Sequence, residues 1–416
     1  MRGCRTPVTD IDRTPAVERE STHDLSGLLA ALQSRQRVAG ATHQFYRYPA
    51  RFSPEFVRRA ITTFTSPGDL VLDPFVGGGT SGVEAMALGR RFVGSDLNQL
   101  AVFIARAKMT LLSTREADDT LRWAGRVDAQ TTKRWNVSSS FAHVNDDHRV
   151  PWSVRRSIAL ALQSIDTLGS IRARRVARAS VLRLGQWALD GRQEVPARRE
   201  FVEKLEEFAV LMVGGSLALR DDSCQAFGLS RAGVEGQRRI RCVAAQRVGE
   251  SSLIPDQWGA PKLVLTSPPY HGVHILYHRW QVQGRRETAV PYWIAGCRDG
   301  QPASYYTFGS RVRTGGDVLR GEYFRNVQSS FTALRKICDE STTIVQLVGF
   351  SDPQIQLQLY RESMRNAGFD EVDPEQTRVT PASAQREVPN RKWYLQALGR
   401  ACPSGREFLL MHRVAR

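Results

Sequence analysis

Cysteine is scarce and scattered in this 416-residue chain. The six residues are Cys4, Cys224, Cys242, Cys297, Cys338 and Cys402, and no two form a CxxC pair. That spacing predicts neither a disulfide scaffold nor a structural zinc site. No apolar run approaches the 18 or so residues of a membrane span. The first residues, MRGCRTPVTDIDRTP, lack the apolar core of a secretory signal. The expected setting is a reducing cytoplasm, with no membrane partner. No internal repeat appears at periods of 20–50 residues. Lysine is nearly missing: of 58 basic residues only 6 are lysine, so 58 − 6 = 52 are arginine. A GC-rich coding sequence explains arginine over lysine as well as function does. It leaves in place a net charge of +16, which favours a polyanionic partner such as nucleic acid. With 41% hydrophobic and 24% charged residues, global disorder is excluded and a sizeable core is possible.

What is present divides the chain. Residues 1–40 are a polar N-terminal extension, mobile over its first twenty or so, with one short helix around Leu25–Leu32. Residues 41–112 are dense with signals. A helix spans Phe56–Phe64, and Pro67-Gly68-Asp69 is a turn. Leu70-Val71-Leu72 is a buried strand. Asp73-Pro74-Phe75-Val76-Gly77-Gly78-Gly79-Thr80 follows, then a helix from Ser81. Ser81 with Glu84 fits a capping box. Arg91–Asp96 is a second strand ending in an acid, and a helix continues through Lys108. Strand, glycine loop, helix, strand and acid begin a doubly wound α/β sheet. Residues 113–245 alternate helical apolar stretches (Ile158–Leu168, Phe201–Met212) with arginine clusters such as Arg172, Arg174, Arg175 and Arg178, a mostly helical insertion. Residues 246–416 resume the sheet at Leu263-Val264-Leu265. A long loop is expected over 271–320, then a helix over Glu322–Cys338, a strand over Thr342–Gly349, a helix over Ile355–Asn366 and a last strand over Phe408–Val414.

The glycine loop lets backbone approach a ligand, and the following helix offers free N–H groups to an anion. Gly77, Gly79 and Gly82 satisfy GxGxxG, so a dinucleotide is one reading, and a glycine turn without a ligand is another. The preceding Asp73-Pro74-Phe75 argues for a different ligand. An acid and a ring in the turn suit an ammonium, a carboxylate and an adenosine, which together describe S-adenosylmethionine. Asp96, 17 residues past Gly79, is placed to accept two ribose hydroxyls. Thr266-Ser267-Pro268-Pro269-Tyr270 follows an apolar strand and so lies at the carboxyl edge, where open α/β sheets bind ligands. The prolines stiffen the turn and lack N–H donors. The Ser267 hydroxyl and the Pro268 carbonyl remain as acceptors able to grip the two hydrogens of an exocyclic amine and localise its lone pair. Tyr270 offers a face for a flipped base.

These two motifs carry a resemblance. The chain resembles the amino-group DNA methyltransferases, and among them the N4-cytosine type. Asp73–Thr80 looks like the family's methyl-donor motif, and Thr266–Tyr270 looks like its catalytic motif in the Ser form. N6-adenine members more often carry Asp or Asn where Ser267 stands. Tyr48-Pro49-Ala50-Arg51-Phe52-Ser53-Pro54 is similar to the segment that closes over the donor. The match covers roughly 43–112 and 248–350. The resemblance implies a Rossmann-like methyltransferase sheet and S-adenosylmethionine as donor, with no metal. It implies double-stranded DNA as substrate, and a restriction-modification or related defence role with cognate restriction or defence proteins. Implied catalytic residues are Ser267, Pro268, Pro269 and Tyr270. Implied donor contacts are Asp73, Pro74, Phe75, Gly77, Gly79, Thr80, Asp96, Asn98, Pro49, Ala50, Arg51 and Phe52, with Glu250 as a weaker match. Donor motif before catalytic turn is the order in which a target-recognition region lies between them, so 113–245 is either a DNA-reading region or a helical buttress. No Pro-Cys dipeptide occurs, in keeping with amine rather than ring-carbon methylation.

Other residues admit two readings. Tyr277, Trp280, Arg285 and Arg286 suit base stacking and phosphate contact, or a packed surface loop. Tyr305-Tyr306 divides in the same way. Asn390-Arg391-Lys392-Trp393-Tyr394 is a DNA-contacting strip or a charged edge strand. His271, His274 and His278 have metal-binding spacing on a helix, but no acid or cysteine accompanies them, and loop histidines fit better. The rival functions are N6-adenine methylation of DNA, amine methylation of RNA or protein, and, from another class, a non-catalytic DNA-binding protein on a Rossmann-like core.

Overall fold

The computed structural model describes residues 25–34, 40–47, 52–131, 150–250, 252–271, 280, 282, 288, 290–297, 308, 316–350, 352–372, 384–388 and 405–416. In chain order these form α1 (Ser26–Gln33), α2 (Pro54–Phe64), β1 (Leu70–Asp73), α3 (Thr80–Ala87), β2 (Arg91–Asp96), α4 (Gln99–Lys108), α5 (Thr114–Thr131), α6 (Trp152–Ser164), α7 (Ile171–Leu189) and α8 (Arg198–Phe227). Then follow α9 (Arg231–Glu235), β3 (Arg238–Cys242), β4 (Leu263–Thr266), α10 (Val290–Ala295), α11 (Gly316–Arg335), β5 (Thr343–Phe350), α12 (Pro353–Asn366), β6 (Phe369–Glu371), β7 (Gln385–Val388) and β8 (Gly405–Val414).

β1 and β4 are short apolar runs buried on both faces, the pattern of parallel strands covered by helices. One sheet runs in the order β3-β2-β1-β4-β5-β8-β6, with β7 paired to β8. β1 to β5 are parallel, and β8 is antiparallel to β5, β6 and β7. The chain winds outward from β1 to β3, then crosses back to β4 on the other side of β1. That reversal makes the carboxyl ends of β1 and β4 the switch point, where an open α/β sheet forms its ligand crevice. The observed architecture is the expected Rossmann-like α/β sheet.

The helical segment ends earlier than the 113–245 boundary implies. Arg238–Cys242 is a sheet strand, in register with β2 from Phe92↔Arg238 to Asp96↔Cys242. Helices α5 to α8 bury Trp123, Ile158, Leu182 and Leu205 in one core with Leu100 and Ile104 of α4 and Tyr292 and Ile294 of α10. The arginines of α7 are tied inward. Arg172 pairs with Glu116 and Glu235. Arg174 and Arg178 donate to the carbonyls of Leu168 and Ile294, and Arg175 to the Thr110 hydroxyl. Within the expected loop over 271–320, Val290–Ala295 is helical because its apolar face meets that core.

Ser81 and Glu84 do not form a capping box. The helix begins one residue earlier, with Gly79 as its N-cap in the left-handed region at φ 76°. Ser81 donates to Asp73 instead, and Glu84 is held by His43 at 2.7 Å and Arg58 at 2.8 Å. Tertiary partners outcompete the local cap. Gly82 serves packing: a Cβ there would lie 2.5 Å from Met109 Sδ and 2.6 Å from Phe92 Cε1. Gly82→Ala is expected to destabilise the fold by about 1–3 kcal/mol, the usual range for overpacking. A urea midpoint equal to that of the wild type would show that Met109 and Phe92 yield without cost.

Candidate active site

Asp73 is the last residue of β1 and is buried. Its Oδ1 accepts from the Thr266 hydroxyl at 2.8 Å and the Phe75 N–H at 3.1 Å, and its Oδ2 from the Ser81 hydroxyl at 2.5 Å. All three donors are uncharged. Burial pushes its carboxyl up to about 6, against the opposing pull of Ser81, Thr266 and the Phe75 N–H. Asp96 ends β2, the neighbouring strand, and takes the Asn98 N–H on Oδ1 and the Gly77 N–H on Oδ2, each at 2.9 Å. Burial first, and the nearby Asp73 to a lesser degree, push it to about 7, while those N–H groups pull the other way. Two buried acids at adjacent strand ends form a site for a cationic group and for hydroxyl donors.

The loop between them is pinned to β2. Val76 N–H donates to the Ser95 carbonyl at 2.9 Å, next to the Gly77–Asp96 bond. Gly77 and Gly79 have φ of 45° and 76°, a region that side chains disfavour. At Gly79 a Cβ would also lie 2.9 Å from the Ala105 backbone. Pro74 and Thr80 lie within this loop, Thr80 as the first residue of α3. Phe75 meets Phe308 edge-on, with ring centroids 5.3 Å apart.

The second motif lies directly beside the first. β1 and β4 are neighbours in register, so Thr266 reaches Asp73 across 193 residues of sequence. Ser267 Oγ lies 3.0 Å from the Leu347 carbonyl and 3.1 Å from the Tyr270 hydroxyl. The Tyr270 hydroxyl lies 2.9 Å from Glu407 Oε1, and Arg386 grips the other oxygen of Glu407 through Nε at 2.7 Å and Nη2 at 2.6 Å. The Tyr323 hydroxyl donates to the Pro269 carbonyl at 3.0 Å, leaving the Pro268 carbonyl outside that bond. Tyr323 also packs edge-on against His271 and Phe308, at 5.1 and 5.8 Å.

Four expected site residues serve elsewhere or otherwise. Glu250 is exposed and faces Lys336 at 3.9 Å, just past the end of α11 and before β5 begins. This is the amino edge of the sheet, opposite the carboxyl edge that holds Asp73, Asp96 and Ser267. The side chain of Asn98 is committed to structure: Oδ1 caps α4 through the Leu100 N–H and Nδ2 donates to the Tyr292 hydroxyl. Trp280 is buried, its indole N–H on the Tyr46 hydroxyl at 2.9 Å, so it is a core residue and offers no face to a base. Phe52 packs against Phe56 in the core. His271 stacks on Phe324 and meets Gln356 through Nδ1 at 3.2 Å. Among the described residues no cluster of three or more His, Cys, Asp or Glu is arranged to hold a metal, and no helix is long and apolar enough to cross a membrane. Pro49, Ala50, Arg51, His274, Tyr277, His278, Arg285, Arg286, Tyr305, Tyr306 and Asn390–Tyr394 lie outside the described residues.

Sequence reasoning missed Glu407, Arg386 and Tyr323. Each lies in an ordinary strand or helix among other polar residues, so no local pattern marks it.

Comparison with known proteins supplies a family context. Residues 10–106 match the family model described as DNA methylase. DNA adenine methyltransferase YhdJ of Escherichia coli is 28% identical over 102 residues, 24% of this chain and 35% of that protein. Type II methyltransferase M2.DpnII of Streptococcus pneumoniae is 43% identical over 63 residues, 15% of this chain and 24% of that protein. Type II methyltransferase M.Cfr9I of Citrobacter freundii is 48% identical over 56 residues, 14% of this chain and 19% of that protein. The chain thus spans about a third or less of the length of these curated relatives. Over its N-terminal quarter, which includes the Asp73–Thr80 loop, the chain is similar to the amino-group DNA methylases.

Proposed function

We propose that the chain is a site-specific DNA methyltransferase that uses S-adenosylmethionine to methylate the exocyclic N4 amine of cytosine. The observation that carries this reading is the Thr266–Asp73 hydrogen bond, which joins the glycine loop and the Ser-Pro-Pro-Tyr turn in one crevice. Asp73 is the residue for the donor's ammonium, Asp96 for its ribose hydroxyls, and the Gly77–Gly79 backbone for close approach at the start of α3. The fit rests on two buried acids held by uncharged donors, which suits a cationic, hydroxyl-bearing ligand. When bound, the donor supplies a methyl carbon already activated by its sulfonium. The protein positions the amine and excludes water. Ser267 and the Pro268 carbonyl accept the two amine hydrogens and localise the nitrogen lone pair. The net charge of +16 supports DNA as partner.

A restriction-modification or related defence role, with cognate restriction or defence proteins, is supported by relatives named as type II methyltransferases. The segment between the motifs is proposed as the target-recognition region. Its α7 arginines are committed to intramolecular partners, so other residues must meet the DNA. N6-adenine methylation is the second reading, favoured by the likeness to a protein named DNA adenine methyltransferase. Incubation with labelled donor and mixed-sequence DNA, then nucleoside identification, separates the two. N4-methylcytosine is the expected product, N6-methyladenine would replace the cytosine reading, and the absence of any labelled nucleoside would overturn both.

A further inference from the structure

Behind the Ser-Pro-Pro-Tyr turn runs a chain of polar groups that positioning of the amine alone does not use. Glu407 lies near the start of β8. Because β8 is antiparallel to β5, that start is at the carboxyl edge of the sheet, beside the crevice. Its cross-strand neighbours are Gly349 on β5 and Arg386 on β7. The Arg386 fork takes Oε2 at 2.7 and 2.6 Å, which turns Oε1 to the Tyr270 hydroxyl at 2.9 Å. A carboxylate only accepts, so Tyr270 donates to it. The tyrosine oxygen then accepts, and Ser267 Oγ lies 3.1 Å from it. The Leu347 carbonyl, also an acceptor only, lies 3.0 Å from the same Oγ, so the one Ser267 hydrogen is shared between Leu347 and Tyr270, and the order Ser267 to Tyr270 to Glu407 holds when that hydrogen turns to Tyr270.

Resting on the methyl-transfer reading above, we propose that Glu407 is a positioning residue that drains the proton of the reacting amine through Tyr270 and Ser267. The nitrogen forms its bond to the methyl carbon as the carbon–sulfur bond breaks, with that electron pair left on sulfur. The nitrogen then carries one proton too many. It passes this proton to Ser267 Oγ, Ser267 passes its own proton to the Tyr270 oxygen, and Tyr270 passes its own to Glu407 Oε1. The carboxylate becomes a carboxylic acid, the positive charge on nitrogen is discharged, and the proton later leaves to water. Arg386 keeps Oε1 aimed at Tyr270.

The test is single-turnover methylation of DNA at saturating donor, in H2O and in D2O, by the full-length wild type, Glu407→Gln and Tyr270→Phe. Glu407→Gln keeps an acceptor for Tyr270 but removes the base. About a 100-fold lower transfer rate is expected, the low end of general-base contributions, with donor and DNA affinity unchanged. The wild-type rate should fall in D2O, and that solvent isotope effect should shrink in Glu407→Gln. Tyr270→Phe should lower the rate to the same degree, and the double variant should be no slower than either single one. Wild-type rates in both variants would overturn the relay. So would a slower Glu407→Gln that keeps the full solvent isotope effect, since that marks a purely structural part. If the wild type itself transfers no methyl group to DNA, the functional reading fails and the relay with it.

Discussion

Asp73→Asn weakens binding of S-adenosylmethionine by about 10- to 100-fold at pH 8, read by calorimetry, with DNA binding largely intact. The range follows from losing one charge-assisted hydrogen bond of about 1.5–3 kcal/mol to a cationic ligand. Asparagine keeps the shape and an acceptor for Thr266, so the change isolates charge. A second consequence concerns pH. The Asp73 carboxyl rises from its ordinary 3.8 to about 6 in the folded chain. A raised carboxyl contributes stability that is fully present below its unfolded value and is lost as pH rises through the folded one. The donor-free wild type therefore loses up to about 3 kcal/mol from this group between pH 4 and pH 8. Asp96, raised to about 7, acts in the same direction. The melting temperature of donor-free Asp73→Asn should accordingly gain on the wild type as pH rises over this window. Donor affinity of the wild type should do the reverse, weakening as pH falls through 6. A stability difference independent of pH would remove the charge argument, and joint loss of donor and DNA binding would point to misfolding.

Ser267→Ala lowers turnover by about 100- to 1,000-fold, the scale of removing one preorganised hydrogen-bonding group from a reacting centre, while donor affinity stays at the wild-type value. The reason is geometric. Ser267 follows Thr266, whose hydroxyl is bound to Asp73, yet Ser267 itself points to Leu347 and Tyr270. One side of the turn serves the donor loop and the other serves the amine. Turnover unchanged in Ser267→Ala would remove the hydroxyl from the mechanism, and a parallel loss of donor affinity would mean that the turn acts as one unit.

Much of this was legible from local patterns. The apolar runs Leu70–Leu72 and Leu263–Leu265 announce buried parallel strands because strands covered on both faces have no polar alternation. The glycines after Asp73 and the prolines after Ser267 mark backbone geometries that few other residues adopt. Asp96 was legible because an acid ends the strand after the glycine loop. Trp280 was not: an aromatic among cations looks the same whether it faces DNA or, as here, the Tyr46 hydroxyl in a helical core. Asn98 beside Asp96 looked like a ligand contact, but a residue at a helix start serves as a cap when no stronger partner intervenes. Ser81 shows the converse, since a cap pattern gave way to a buried acid nearby.

Sequence alone determined the two turns, the strands that carry them and the sheet class, because each depends on residues adjacent in the chain. Only the folded molecule decided which partners those turns have. Thr266 and Asp73 meet across 193 residues, and Tyr270 and Glu407 across 137. Strand order creates such contacts, and strand order is set by the packing of the whole core around β1 and β4.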